Sequence, residues 1–221
     1  MSYAQVFLLK ADISKLSDKS VAIQKGAVSD FSHKFVTAQV SRFTGISKDR
    51  IEYVQGEHGK PYIKGNPLYF NLSHCGNLIL AAFCDEEIGA DIELVRNFNS
   101  RIADRLFTPD EMDYMAASSD KDEKNRRFFE IWTAKEAFLK LCGTGISGGF
   151  GFSTVYNGSL HKKICSEKLG SAVAIHHSGI IKLDKNEVLL HNMTTLGECN
   201  AEYQVCICGR KICGLEFQFI Q

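Results

Sequence analysis

The sequence lacks a long apolar run, an excess of charge of either sign and any CxxC pair of cysteines. The longest good apolar stretch, Leu78 to Cys84, falls far short of the roughly 20 residues of a membrane-spanning helix. The whole chain has 26 basic and 26 acidic side chains and therefore a formal net charge of zero, which argues against a general nucleic-acid-binding protein. No CxxC pattern and no zinc-like spacing of cysteine and histidine is present. We therefore expect no membrane and no nucleic-acid partner.

What remains is an ordinary globular composition. The chain has 221 residues, of which 44% are hydrophobic and 24% charged, enough for one large domain or two small ones. The first residues, MSYAQVFLLKADI, show no basic leader and no cleavage site, so we expect a cytoplasmic, reducing location. The eight cysteines then predict buried free thiols. A soft-metal site at Cys206, Cys208 and Cys213 is the weaker alternative.

Two similar halves follow each other along the chain. Each half begins with an apolar strand, continues with helical periodicity and ends in several strands. This order predicts an α+β fold, a pseudo-dimer of two similar α/β halves at 1–85 and 86–221, with the active site in the cleft between them. The predicted strands are 4–11, 50–55, 69–73, 78–84, 88–95, 150–156, 188–193, 203–208 and 215–220; the predicted helices are 18–45, one from 100, one from 108, and 124–141; residues 157–187 are predicted to be a variable excursion.

The motif IGADIE, residues 88–93, places two acids on a predicted strand. Side chains alternate along a strand, so Asp91 and Glu93 project together. Two carboxylates this close both stay ionised only with a cation or donor between them. A divalent ion with oxygen ligands, such as Mg²⁺, satisfies that need. The alternative is a pair of surface acids at a strand end.

A second motif, FFEIWTAKEAFLK at residues 128–140, reads as a helix. Trp132, Glu136 and Lys140 are four residues apart and line one edge of it, with Lys135 beside them. This edge could carry chemistry. The alternative is a solvated surface ion pair that contributes only about 0.3–0.5 kcal/mol.

Two further motifs lie in the first half. GKP, residues 59–61, holds the Lys60 cation and Pro61 in a stiff turn that can approach a phosphate or a base. NLSHCG, residues 71–76, ends a strand, where Ser73 and His74 can donate to an anionic oxygen. Neighbouring residues of a strand face opposite sides, which argues against a Ser–His nucleophile pair here.

In this order and spacing, GKP, NLSHCG, IGADIE and WTAKEAFLK with the trailing GTGIS resemble the phosphopantetheinyl transferases of the larger, Sfp-like group. The motifs cover residues 50–147. Two positions depart from the usual pattern: Cys75 stands where the family often has Ser, and Ala90 where a branched residue is common. Neither is a proposed ligand.

The resemblance implies an activity and its participants. The phosphopantetheine arm of coenzyme A is moved to a serine of an apo acyl or peptidyl carrier protein, and adenosine 3′,5′-bisphosphate is released. It also implies Mg²⁺ as the cofactor and a monomer, since both layouts lie in one chain.

The resemblance further assigns roles to individual residues. Glu136 would be the general base, and Lys140 and Lys135 would act electrostatically. The implied metal ligands are Asp91, Glu93 and Glu136; the implied coenzyme A contacts are Lys34, Lys60, Pro61, Ser73 and His74, with a weaker match at Lys19.

Two other functional classes stay open. A metal-dependent phosphodiesterase or nuclease could use the same acids, although it should show a basic stripe. An inactive carrier-binding module could keep the fold, although it should lose part of the acidic trio or Lys140. Residues 112–127 are predicted either to rim the cleft, with Met112, Tyr114 and Met115 touching the carrier, or to form a charged loop.

Overall fold

The side chains of the first strand alternate between two buried layers, one on each side of its sheet. The computed structural model describes residues 2–12, 19–145, 149–156, 158–160, 163–166, 171–183, 201–209 and 212–220. The fold is a mixed α+β fold with two four-stranded sheets. The strands are β1 Ser2–Lys10, β2 Tyr53–Gln55, β3 Pro61–Ile63, β4 Tyr69–Cys75, β5 Leu78–Cys84, β6 Ile88–Leu94, β7 Val155–Tyr156, β8 Ser159–Leu160, β9 Lys163–Ser166, β10 Ser171–Leu183, β11 Ala201–Gly209 and β12 Ile212–Ile220; the helices are α1 Val21–Thr44, α2 Ser100–Leu106, α3 Pro109–Ala116 and α4 Lys121–Cys142.

The two sheets pack face to face between outer helices. The first sheet has the order β12-β1-β5-β4 and the second β6-β11-β10-β9. Val6 and Leu8 of β1 point between the sheets, where they meet Ile92 and Val205. Phe7, on the opposite face of β1, packs with other buried side chains against helix α1. Helix α4 covers the outer face of the second sheet in the same manner. The central strands are therefore buried on both faces: every residue of β5 is buried, and so is every residue of β6 except Glu93.

The last strand belongs to the sheet of the first half. β12 pairs in parallel with β1, with Val6 opposite Phe217 and Leu8 opposite Phe219. A division of the chain at residues 85 and 86 does not predict this pairing. The physical reason is that β1 otherwise lies at an open edge, and a strand from the far end of the sequence completes the ladder.

Several local predictions agree with the structure, and others differ. Helix α4 begins at Lys121 rather than at 124 and ends where Gly143 adopts a left-handed φ of 67°. The β4–β5 hairpin is confirmed, with its turn at Gly76 and Asn77. Strand 50–55 is shortened to 53–55, because a 3₁₀ turn occupies 48–50. Residues 171–183, predicted to be a variable excursion, form β10, and strand 188–193 lies outside the described residues.

Candidate active site

A glycine sets the distance between strand β6 and helix α4. A Cβ atom at Gly89 would lie 1.9 Å from the carbonyl oxygen of Ala137 and 2.8 Å from the backbone nitrogen of Leu141. Only a residue without a side chain allows this approach. The close contact brings the turn of α4 that carries Glu136 and Lys140 over Asp91 of β6.

Asp91 is the centre of a hydrogen-bonded group drawn from three motifs. It is 3% exposed, and its Oδ1 accepts hydrogen bonds from Lys140 Nζ at 2.5 Å and from Ser73 Oγ at 2.7 Å. Lys140 Nζ also donates to Ser73 Oγ at 2.8 Å. The second carboxylate oxygen, Oδ2, is buried and has no hydrogen-bond partner. NLSHCG, IGADIE and WTAKEAFLK therefore meet at one carboxylate.

The neighbouring carboxylates sit in an electrostatically crowded place. Burial, followed by the charge of Asp91, raises the pKa of Glu93 to about 7. Burial and Asp91 also raise the pKa of Glu136 above its ordinary value, while Lys140 opposes the rise. Across the described part of the chain, no three acidic, histidine or cysteine side chains already stand close enough to hold a metal ion. Two cations lie beside these acids: Lys140 pairs with Asp91, and Arg96 Nη1 lies 3.9 Å from Glu93 Oε2.

His74 faces the opposite side of strand β4 and contacts helix α1. Its Nε2 lies 2.7 Å from Ser32 Oγ, and Ser32 Oγ donates to the carbonyl oxygen of Val28 at 2.7 Å. The single hydroxyl hydrogen of Ser32 is used in that bond, so Nε2 of His74 is the donor toward Ser32. His74 is exposed at the surface, and partial desolvation of its ring, followed by the charge of the nearby Lys140, lowers its pKa. The alternation expected of Ser73 and His74 is observed.

A cavity of about 550 Å³ opens beside His74, between α1 and the β4–β5 hairpin. Lys25 and Arg96 line it together with His74, so its walls carry three basic side chains. Lys25 and Arg96 were not among the residues predicted for the site. Lys25 is an exposed residue of α1 that follows the buried Gln24, and the apolar periodicity of the helix gives no signal that singles it out.

The other predicted nucleotide contacts lie elsewhere. Lys60 Nζ donates to the carbonyl oxygens of Leu141 at 3.0 Å and Ile88 at 3.5 Å, and burial lowers its pKa. Pro61 is exposed at the start of β3. Lys34 is exposed on α1, and neither it nor Lys60 lines the cavity beside His74. The GKP turn therefore rests on the last turn of α4 and the edge of β6.

Lys135 does not join the group around Asp91. Its ammonium is 0% exposed, lies 3.0 Å from Glu111 Oε2, and donates to the carbonyl oxygens of Phe150 and Phe152 at 3.1 and 2.5 Å. The Glu111 carboxylate also accepts from the backbone nitrogens of Thr108 and Thr154, both at 2.8 Å. This fully paired interior charge ties α3, α4 and the segment around residues 150–154 together.

The segment 112–127 is mainly helical. It comprises the end of α3 and the beginning of α4, so the charged-loop interpretation was wrong for most of its length. Met115 is buried at 5% exposure and is not available to a partner. The Tyr114 hydroxyl donates to Glu130 Oε2 at 2.7 Å. Of the three predicted contact residues, Met112 and Tyr114 remain partly exposed.

The cysteine prediction holds where side chains are described. Cys75, Cys84, Cys206 and Cys208 are buried free thiols, and Cys142 is a partly exposed one. The side chains of Cys165, Cys199 and Cys213 lie outside the described residues. The alternative soft-metal site needs Cys213 and therefore lies outside them as well. Within the described ranges, no helix is both long and apolar enough to cross a membrane.

Residues 87–208, more than half of the chain, match the 4′-phosphopantetheinyl transferase superfamily. The chain belongs to this family. The match includes Asp91, Glu136 and Lys140, and it confirms the resemblance seen in the motifs.

Individual members of the family show similarity to about half of the chain. It is 37% identical to the 4′-phosphopantetheinyl transferase Sfp of Bacillus subtilis over 113 residues, 51% of this chain and 50% of that protein. It is 39% identical to psf-1 of Bacillus pumilus over 106 residues, 47% of this chain and 45% of the relative. It is 42% identical to AcpT of Salmonella typhimurium over 97 residues, 42% and 50% of the two chains. The chain thus spans about half the length of the curated relatives it matches, and it falls in the Sfp-like group.

Proposed function

We propose that this protein transfers the phosphopantetheine arm of coenzyme A to a serine of an apo carrier protein and releases adenosine 3′,5′-bisphosphate. The observation that carries the proposal is the meeting of Asp91, Ser73 and Lys140, with Glu93 and Glu136 beside them. Membership of the transferase family supports the same reaction. The group combines acids, a cation and a potential base, which is what phosphoryl-type transfer requires.

The acidic residues offer the oxygen donors that a magnesium ion takes, and they would draw closer together to hold one. Asp91 Oδ2 is a buried oxygen without a partner, and burial, followed by the charge of Asp91, raises the pKa of both Glu93 and Glu136 against the opposing charge of Lys140. Oxygen donors of this kind are what Mg²⁺ takes in proteins. When bound, the ion would neutralise charge on the coenzyme A pyrophosphate. Asp91, Glu93 and Glu136 would hold it.

The protein's own residues account for the proton and the leaving group. Glu136 accepts the proton of the carrier serine hydroxyl, and its raised pKa brings it closer to neutral pH, where a general base is most effective. The serine oxygen forms a bond to the phosphorus next to the pantetheine, and the pyrophosphate bond to that phosphorus breaks. Lys140, on the same edge of α4, stabilises the departing phosphate.

The cavity beside His74 suits the 3′-phosphate of coenzyme A. Lys25 and Arg96 supply two cations in a space of about 550 Å³, and hydrogen bonds from cationic groups to phosphate are among the strong ones. His74 Nε2 already donates to Ser32, so His74 would contact the phosphate by taking up a proton at Nδ1, which a neighbouring anion favours. We assign Lys60 to holding the end of α4 against β6, with the exposed Pro61 as the part of GKP that can meet the adenine. Lys34 stays a prediction, and Lys135 is assigned a structural role.

The site lies where residues of the two predicted halves meet. Ser73 comes from the first half, and Asp91 and Lys140 come from the second, within one chain. We therefore propose a monomeric pseudo-dimer with its cleft at this junction, which sedimentation at assay concentrations would test. A cytoplasmic location stays a prediction.

The decisive experiment is incubation with coenzyme A, Mg²⁺ and a panel of apo acyl and peptidyl carriers. We expect one phosphopantetheine arm to appear on a carrier by mass spectrometry. Glu136→Gln should abolish transfer while coenzyme A still binds, since the amide keeps the shape and loses the charge. Glu123→Gln, at a partly exposed carboxylate that pairs with Arg127 on the same helix, is the matched control. Failure to modify any carrier refutes the function, and near-normal turnover of Glu136→Gln removes Glu136 from the reaction.

A second experiment tests the 3′-phosphate contact. His74→Ala should weaken coenzyme A about 10- to 150-fold, corresponding to the roughly 1.5–3 kcal/mol of a hydrogen bond to a charged group. Dephospho-coenzyme A, which lacks that phosphate, should lose little. Calorimetric titration of both ligands measures the difference, and equal losses would place His74 elsewhere.

A further inference from the structure

Strand β6, which carries Asp91, lies at the edge of its sheet as far as the chain is described. The backbone N–H and C=O groups of its odd-numbered residues point toward β11. Val95, which follows the last residue of β6, continues this pattern, because its backbone nitrogen donates to the carbonyl oxygen of Glu202 at 2.8 Å. In an antiparallel ladder, the alternate residues direct their backbone groups away from the partner strand. The even-numbered residues of β6 therefore present N–H and C=O groups to the first sheet, and buried backbone groups need partners.

Two of these N–H groups donate to side chains instead of to the backbone of a neighbouring strand. Asn71 Oδ1 accepts a hydrogen bond from Ala90 N at 2.9 Å. Cys75 Sγ accepts one from Leu94 N at 3.2 Å. Both side chains are buried, at 7% and 9% exposure, and both come from β4. Two acceptors four residues apart on β4 therefore hold two donors four residues apart on β6.

The residue midway between these acceptors is Ser73, which donates to Asp91 Oδ1. Side chains at every second position of a strand share one face, so Asn71, Ser73 and Cys75 all face β6. His74 faces the other way, toward α1. The register of β4 against β6 thus decides whether the Ser73 hydroxyl meets the Asp91 carboxylate.

We propose that Asn71 and Cys75 are positioning residues: they clamp the edge of β6 through its backbone and thereby set the place of Asp91 in the transfer reaction. The inference rests on the proposed function. In the described contacts, the Asn71 carbonyl oxygen and the Cys75 sulfur meet backbone N–H groups of β6, not the carboxylate itself. Loss of either acceptor leaves an N–H group unpaired within one to three residues of Asp91, and the strand shifts to find another partner.

The first test is Asn71→Leu, which keeps a similar side-chain size and removes the acceptor. We expect kcat to fall about 10- to 100-fold, the usual effect of losing a residue that orients a ligand. The KM for coenzyme A should stay within about twofold, because His74 lies on the opposite face of β4. The control is Val40→Ala, a buried change on α1 that lowers stability and should leave kcat unchanged. An unchanged kcat in folded Asn71→Leu, or an equal loss in Val40→Ala, overturns the proposal.

The clamp can also be measured without any reaction. Amide hydrogen exchange in residues 88–94, followed without coenzyme A or Mg²⁺, should be slow in the wild type and selectively faster in Asn71→Leu. This readout separates the two proposals: a protein that modifies no carrier refutes the function, whereas unaltered exchange in Asn71→Leu refutes the clamp.

Cys75 offers a matched pair of substitutions. Cys75→Ser keeps an acceptor for Leu94 N, and Cys75→Val keeps the volume without one. We expect Cys75→Ser to retain kcat and slow exchange, and Cys75→Val to lose both. The opposite order, or equal behaviour of the two variants, would exclude Cys75 from the clamp.

Discussion

Gly89→Ala should damage the active site from a position that touches no substrate. The new methyl carbon would begin 1.9 Å from the Ala137 carbonyl oxygen, whereas Cβ atoms essentially never come within 3.0 Å of such a neighbour. Helix α4 must therefore retreat from β6 by about 1 Å. The hydrogen bond from Lys140 Nζ to Ser73 Oγ, now 2.8 Å, would then lengthen beyond the range of a real bond.

Two magnitudes follow from that displacement. Overpacking of a filled core costs about 1–3 kcal/mol of unfolding free energy, and a misplacement of about 1 Å can lower a rate about 100-fold. Steady-state transfer to a carrier measures kcat, and urea unfolding measures stability. We expect kcat to fall by about two orders of magnitude in protein that is still folded.

Gly26→Ala is the matched control for this prediction. Gly26 lies within α1, and a Cβ there would meet nothing within 4 Å. The substitution should raise stability by about 0.5–1 kcal/mol, the difference in helix propensity, and leave kcat unchanged. If Gly89→Ala instead matches the wild type in both kcat and stability, the close packing of β6 on α4 does not position the site.

The remaining predictions concern buried charges and thiols. Lys135→Met should lower the unfolding free energy by about 3–5 kcal/mol in urea, because it leaves the Glu111 carboxylate buried and unpaired; a fully stable but inactive variant would return Lys135 to the chemistry. Burial raises the pKa of the Cys75 thiol from 9.0 to about 11. The contribution of the protonated thiol to the free energy of unfolding is therefore complete below pH 9 and is lost as the pH rises through 11. That contribution is about 2–3 kcal/mol, and an alkaline stability profile that is identical in Cys75→Ser would contradict it. Cys142, partly exposed, should be alkylated before Cys75 and Cys84 when peptides are mapped by mass spectrometry; faster modification of the buried pair would show that the hairpin opens.

Local signals predicted much of the fold and the heart of the site. The helices around Val36 and around Phe138 follow from the periodicity of their apolar residues, which is a property of a few neighbouring residues. The strand alternation that separates Ser73 from His74 is local in the same sense. The ordered motifs then indicated that Asp91, Glu136 and Lys140 belong together.

Long-range pairings and the destination of Lys135 were not predicted. Lys135 and Glu136 are neighbours in sequence, but successive residues point about 100° apart around a helix, so only one of them can face Asp91. The partner of Lys135 is Glu111, whose contact with Thr108 is the local part of a helix start. The ammonium group of Lys135 is thus paired with residues that lie far from it in the sequence and that its own motif does not identify.

The parallel pairing of β12 with β1 has a consequence for how the chain folds as it is synthesised. Val6 of β1 pairs with Phe217 of β12, so the residues between them must all be synthesised before this ladder of the first sheet can form. At about 5–20 residues per second, this interval is on the order of 10–40 s. Throughout it, one edge of β1 is open to strands of other nascent chains, and the final strand ends that exposure by occupying the edge itself.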